Sequence, residues 1–442
     1  MSSPTGTLLV AAPVLQAERI EIIDALRGFA ILGILLMNIP GFSLPDPVGY
    51  DPSVLNEYGT INFKVWHFVE WFPEGTQRAI FSMLFGAGII LFTTRQEKKL
   101  DGVKPADYFI RRQLWLMVFG IIDVYLLLWW GDILFDYACY GLIMFAFRKM
   151  SPKALFIGSA VCLLLMIGRE NRELYQDKKV IQKGELVQAI DTTKVKLTAL
   201  QIADLSAMND FKEISSPEKK AKKLESSIRK TTSSYGELYE YRTDVYVHHL
   251  VKYLYMQAWD VLVFMFLGMA LFKTGVLTGQ VSSKIYWIMA ILGLGLGLTV
   301  SYLRMQPEIQ YKFNWFEIAK HTQFEKYTLS RFLRSIGIFA SIMLLYKSGW
   351  FKWLFALMRP VGQMAFSNYL TQSLICGLIF YGIGFGEYGK LQRVQVYYIV
   401  GVIWIVQIIW SNIWLRYFYF GPFEWCWRSL TYWKKQPFKK SY

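Results

Sequence analysis

The sequence predicts an all-α, polytopic membrane protein with about ten transmembrane helices, both termini inside and a helical insert outside. Three observations predict it: the composition, the number of long apolar runs and the distribution of positive charge. Hydrophobic residues make up 54% of the 442 positions and charged residues only 18%, against ~25% charged in a soluble domain. Aromatics make up 17%, with 16 Trp, 27 Tyr and 32 Phe, and Trp and Tyr are enriched at membrane–water interfaces. This composition excludes a disordered chain, a disulfide scaffold and a nucleic-acid binder. The lipid bilayer is the partner it implies.

A spanning helix needs about 20 mostly apolar residues. Ten runs qualify: 20–40, 76–94, 111–130, 132–148, 153–168, 250–272, 284–304, 330–347, 363–384 and 394–415. The fourth and fifth are short. Between the third and fourth, Trp129-Trp130-Gly131-Asp132 makes a tight link. The chain then divides into a lead-in (1–19), spans one to five (20–168), a polar insert (169–249), spans six to ten (250–415) and an interfacial helix with a basic tail (416–442).

The formal net charge is +15. The insert holds 15 basic and 13 acidic residues, leaving 33 basic and 20 acidic elsewhere. With the N-terminus inside, the short inside segments carry 21 Lys and Arg and the short outside loops six. That bias is the positive-inside signal, from which long loops are exempt, so the excess charge reads as topology and the insert can lie outside.

The lead-in contains LLVAAPVLQA with no basic residue before it, which reads as a surface lead-in and not a cleaved signal. In the insert, Ser216 before Pro217 and Glu218 marks a helix start. A helical hairpin is expected there, serving as a solvated spacer or a lid. In the seventh span, Gly293 and Gly297 form a small-xxx-small pair. Without a preceding strand or a Lys this predicts close helix packing, not a phosphate loop. The four cysteines show no CxxC and have no His nearby, so they read as small buried hydrophobes, and no metal site is expected.

Ionisable groups inside spans are costly and are therefore functional candidates. An inner layer holds Asp24 and Arg27 one turn apart, with Asn368 and Gln372 on the ninth span. An outer layer holds Asn38, Arg78, Asp132, Asp136, Arg331 and Arg334. Asp123 and Asp260 sit at mid-membrane. Outer carboxylates and guanidiniums nearly match in number. Asp132 or Asp136 is therefore expected to pair with Arg78, Arg331 or Arg334. The same groups could instead line a polar cavity. On a 100° wheel Asp24, Arg27 and Asn38 fall in one ~100° sector, so one path along the first span could wet all three. His67 lies in an aromatic run beside Glu70, where it is either an interfacial bystander or a general base. In the tail, Glu424 and Arg428 are expected to form an i,i+4 pair.

IDALRGFAILGILLMNI (23–39), FSMLFGAGIILF (81–92), WWGDILFDYACYGL (129–142), GQMAFSNYLTQSLICGLIFYG (362–382) and GPFEWCWRSLTY (421–432) closely resemble motifs of the YeiB-like bacterial inner-membrane proteins, the domain of unknown function 418. The resemblance covers residues 19 to 432 and implies a multi-pass protein of the bacterial inner membrane. The first span is also similar to that of transmembrane acyltransferases, whose D-x-L-R-G stretch precedes a catalytic His eleven residues after the Arg. Here Asn38 stands at that position. Heparan-α-glucosaminide N-acetyltransferase also has Asn there, with its His eleven residues further on, where this chain has Gly49. The resemblance implies acyl transfer from a cytosolic acyl-CoA to an outer acceptor. His67, Asn38 and Asp132 are then the catalytic candidates. Asp24, Arg27, Arg78, Asp136, Arg331, Arg334, Asn368 and Gln372 are the binding candidates. Transport or flipping of a small or lipid-linked solute, and a non-enzymatic scaffold, remain alternatives.

Overall fold

The computed structural model describes residues 19–440, except the side chains of residues 252–257. Apart from Arg19, the lead-in lies outside the described residues. Sixteen α-helices follow in order: α1 (Glu21–Ser43), α2 (Ile61–Trp71), α3 (Thr76–Glu97), α4 (Lys104–Tyr125), α5 (Leu134–Phe145), α6 (Pro152–Gln188), α7 (Ala199–Ile214), α8 (Pro217–Thr231), α9 (Tyr235–Lys273), α10 (Ser283–Gln310), α11 (Trp315–His321), α12 (Tyr327–Ser348), α13 (Lys352–Gln363), α14 (Ala365–Phe380), α15 (Arg393–Tyr417) and α16 (Pro422–Tyr432). The only extended pairing among the described residues is an isolated bridge between Phe418 and Lys439.

Among the described residues, six helical stretches are long and apolar enough to cross a membrane: α1, Ile61–Glu97, α6, α10, α12 and α15. Each of the ten apolar runs falls on a helix, but α5 and α14 are shorter than their runs. Their 12 and 16 residues rise ~18 and ~24 Å, less than the ~30 Å of a hydrocarbon core.

Helix α1 sits at the centre, packed on α3, α13, α14 and α15. Helix α9 packs on α3, α5 and α6, and α10 pairs with α12. Small residues allow the closest approaches. A Cβ on Gly293 would lie 2.6 Å from the Gly337 nitrogen, and one on Gly297 would lie 2.7 Å from the Arg334 nitrogen. The sequence pair therefore does bring α10 and α12 backbones together. The same device joins α1 to α13, where a Cβ on Gly28 would overlap the Met358 carbonyl.

The insert differs from a separate hairpin. Helices α6 and α9 run from the apolar body into it without a break, at 37 and 39 residues, and α7 and α8 bridge them. Capping fixes the starts: Ser151, Thr198, Ser216 and Ser234 each accept a bond from a first-turn amide of α6, α7, α8 and α9. Ile181, Met208, Phe316 and Ala319 form a small core between α6, α7 and α11. On its rim a 2.6 Å bond from Lys320 to Glu185 holds the lysine above its ordinary range. The insert is also tied to the body. Lys220 pairs with Asp51 at 2.7 Å, the Ser227 and Tyr388 hydroxyls bond at 2.9 Å, and the Gly382 amide donates to the Thr231 carbonyl at 3.0 Å. The Arg242 guanidinium is buried among the rings of Tyr241, Tyr381 and Tyr388.

Candidate functional site

Two cavities enter the body at opposite ends of α1. One, of about 220 Å³, is lined by Asp24 and Arg27; the other, of about 240 Å³, by Ile34, Met37 and Asn38. We call them inner and outer, after the side on which the charge count places each end of α1.

The inner cavity has a polar mouth and an apolar floor. Arg19, Arg27, Arg95, Arg112 and Arg428 surround the mouth, with Asp24 and Glu424 as its carboxylates. Asp24 is 4% exposed and accepts from Arg19 at 3.1 Å, Arg27 at 3.3 Å and Gln363 at 3.2 Å. Glu424 accepts the Phe366 and Ser367 amides at 2.8 and 3.0 Å and also takes the Ser367 hydroxyl. It thus caps the first turn of α14, a favourable place for negative charge. The expected Glu424–Arg428 pair gives way to this cap. Deeper, Phe81, Phe85, Leu116, Leu134, Tyr137 and Phe366 make an aromatic and aliphatic floor.

The outer cavity gathers Asn38, Arg78, Asp132, Asp136 and His249, with Trp130, Tyr50, Tyr246 and Tyr327 around them. The His249 ring lies edge-on to Trp130 at 5.8 Å between centroids. Asp132 takes the Phe135 amide at 2.9 Å, at the start of α5.

Ile133 stands in the wall of both cavities. A hydrogen bond crosses this partition. Tyr369 lines the inner cavity, yet its hydroxyl donates to Asp132 of the outer one at 3.4 Å and accepts the Ile133 amide at 3.2 Å. Beside it, the Tyr137 hydroxyl donates to the Arg78 carbonyl at 3.2 Å. The polar path expected along α1 is therefore two chambers with a thin wall, not one open channel.

Of the residues singled out from sequence, Asp24 and Arg27 line the inner cavity, and Asn38, Arg78, Asp132 and Asp136 the outer one. His67, Arg331, Arg334, Asn368 and Gln372 line neither. His67 is half-buried on α2, 6.4 Å from the ring centroids of both Phe63 and Trp66. The expected ion pairs also differ. Arg78 and Arg331 both pair with Asp260 on α9, one to each carboxylate oxygen. Arg334 reaches Glu74 at 3.7 Å and donates to the Glu70, Trp71 and Phe72 carbonyls at 3.1–3.2 Å. It caps the negative C-terminal end of α2 and so sets the turn that places Arg78. Asn368 and Gln372 face other helices: Asn368 bonds Ser411, Trp410 and the Val361 carbonyl, and Gln372 bonds Gln407 and the Ile31 carbonyl. They join α14 to α1, α13 and α15.

Sequence reasoning missed His249 and the arginine ring. His249 sits where the polar insert meets an apolar run, and nothing in the linear pattern places it in the cavity with Asn38. Arg19, Arg95 and Arg112 read only as topology charges, and Arg428 as one of these and as a partner for Glu424. The signal that could have raised them is Trp427-Arg428 on a short amphipathic helix at an interface.

The fold and these cavities define a multi-pass, all-helical membrane protein with a polar chamber at each end of its central helix. The family model for the protein of unknown function DUF418 matches residues 271–434. The chain is 31% identical over 436 residues to the uncharacterised protein YxaH of Bacillus subtilis (strain 168), covering 97% of this chain and 98% of that one. It is 29% identical over 426 residues to the uncharacterised protein YeiB of Escherichia coli (strain K12), covering 94% and 96%. The chain belongs to the YeiB-like DUF418 family. No solved structure matches it.

Proposed function

We propose that this protein is a transferase of the bacterial inner membrane. In this reading ten helices cross, both termini are cytosolic, and an acyl group passes from a donor in the inner cavity to an acceptor in the outer one. The observation that carries it is the meeting of Asn38, His249 and Asp132 in one chamber, separated by Ile133 from a chamber with cationic mouth and apolar floor. His249 takes the base role that sequence alone offered to His67. Acyl-CoA is the donor class that the resemblance to transmembrane acyltransferases brings.

The chemistry balances with these groups. An acceptor hydroxyl oxygen attacks the thioester carbonyl carbon and gives its proton to the His249 imidazole. The Asn38 amide donates to the developing oxyanion, and Arg78 adds positive field. The C–S bond breaks, the thiolate leaves toward the inner side and takes a proton from solvent, and the His249 imidazolium returns its proton to solvent on the outer side. The acyl end of the donor must pass Ile133.

Purified protein in liposomes, given radiolabelled acetyl-CoA and membrane glycolipid, tests this. Transfer is expected, reduced at least ~100-fold in His249→Ala and in Asn38→Ala, and retained in His67→Ala. Absence of transfer, or of acetyl-CoA binding at millimolar concentration, ends the reading. Transport is the second reading. Asp123 favours it: it is fully buried on α4, its neighbours are Asp132 and Ser373, and it has no cationic partner among the described residues. Proton-coupled uptake lost in Asp123→Asn, without any acyl transfer, would establish transport instead.

A further inference from the structure

We infer that the inner cavity is a receptor for a phosphate-bearing amphiphile, with Arg112 and Arg428 as the phosphate ligands. This rests on the donor half of the proposed reading and names its chemistry. Five guanidiniums face the mouth and only two carboxylates. Both carboxylates are already engaged. Asp24 is shared by Arg19 and Arg27, and Glu424 is spent on the α14 amides. Among the described residues neither Arg112 nor Arg428 makes an ion pair with an acidic side chain.

Instead, both guanidiniums stack on rings. Arg112 lies 3.7 Å over Trp427, and Arg428 lies 4.6 Å over Phe420. The Trp427 indole also donates to the Arg112 carbonyl at 2.8 Å, so α4 and α16 hold this geometry together. Stacking fixes the plane of a guanidinium and leaves its N–H edges free to donate. Half-buried arginines facing one another repel, and an anion between them offsets that cost with bidentate, charge-assisted bonds.

The rest of the cavity says what the anion is attached to. Beyond the arginines along the helices lie Phe85, Leu116, Leu134 and Phe366. A free phosphate gains nothing from such a floor, whereas a hydrocarbon or thioester tail gains from every square ångström buried. A cavity of about 220 Å³ has room for a short chain or the first carbons of a longer one. Helix α16 supplies Trp427, Arg428 and Tyr432 to this mouth, and short helices of this kind lie along membrane surfaces. Such a ligand reaches the site from the membrane, as a phospholipid, or from the cytosol, as an acyl-CoA.

Titration of purified protein in nanodiscs, followed by tryptophan fluorescence, tests this. The probes are decanoyl-CoA and lysophosphatidate, each beside its phosphate-free counterpart, decanoyl-pantetheine and monoacylglycerol. At least one phosphorylated probe is expected to bind ten times or more tighter than its counterpart. Arg112→Gln and Arg428→Gln should each weaken that probe about tenfold or more. Arg359→Gln, whose side chain pairs with Glu21 outside the cavity, should leave binding unchanged. Preference for decanoyl-CoA identifies a soluble donor, and preference for lysophosphatidate a lipid; either supports the inference. Equal affinity for probes with and without phosphate overturns it, a comparison on the wild-type protein that does not depend on variant folding. Wild-type affinity in well-folded Arg112→Gln and Arg428→Gln also overturns it. Phosphate-dependent binding without transfer would sink the transferase and spare the receptor.

Discussion

Asp260 decides the electrostatics of the outer half at the residue scale. It is 4% exposed and serves two guanidiniums, Arg78 and the 2% exposed Arg331. A charge in that setting is tolerable only because it is paired, and removing one partner strands the others. Asp260→Asn is therefore expected to cost about 3–5 kcal/mol, read as a lowered unfolding midpoint in detergent. Adding Arg331→Met should restore part of the loss, because the stranded cation goes with it. A change under ~1 kcal/mol in the single variant, no more than an exposed pair would give, contradicts the buried cluster. Sequence made Asp260 and the arginines visible as isolated charges at known depths. It could not pair them, because partners on α3, α9 and α12 are chosen by how each helix is rotated. The histidines show the same limit: His67 has a carboxylate close in sequence, but His249 has the cavity.

Among the elements, one close contact that depends on absent side chains joins α10 to α12. Helices α10 and α12 approach through Gly293, Gly297 and Gly337, and the atoms facing Gly297 are largely Arg334 backbone. Backbone cannot swing aside, so Gly297→Val must push the helices apart, at about 1–3 kcal/mol. Gly295, two residues away, would meet nothing within 4 Å. Gly295→Ala should leave the midpoint unchanged or raise it by up to ~1 kcal/mol through helix propensity. Equal loss in both variants would mean that glycine matters here for another reason. This packing was legible because spacing of four is a one-dimensional signal. The insert was less legible: a hydropathy window stops where charge begins, although α6 and α9 remain helical through that boundary. Helix α13 was missed for the opposite reason. Its Lys352, Arg359 and Pro360 read as an inside loop, although its other face is buried against α1.

The whole molecule poses the question of sidedness. Arg19, Arg95, Arg112 and Arg428, which ring one cavity, all belong to segments that the charge count places inside. His249 and Arg78 share the other cavity with chain the count places outside. The four ring arginines are among the charges already counted, so the orientation rests on loop charge alone. The short helices fit the same arrangement. Leu134 of α5 and residues 365 and 366 of α14 line the inner cavity, and backbone that faces a cavity need not match the full thickness of lipid. The expectation is N-in/C-in with the insert outside, and labelling of engineered cysteines in intact cells checks it. The background needs Cys139, Cys162, Cys376 and Cys426 replaced first. Lys98 and Lys222 are both exposed, so access to a reagent depends on which side of the membrane each occupies. A membrane-impermeant maleimide should label Lys222→Cys in intact cells and label Lys98→Cys only after lysis. Labelling of Lys98→Cys from outside, or protection of Lys222→Cys, would reverse the orientation. The arginine-ringed cavity would then face away from any cytosolic acyl-CoA, and the direction of transfer proposed here would fall with the topology.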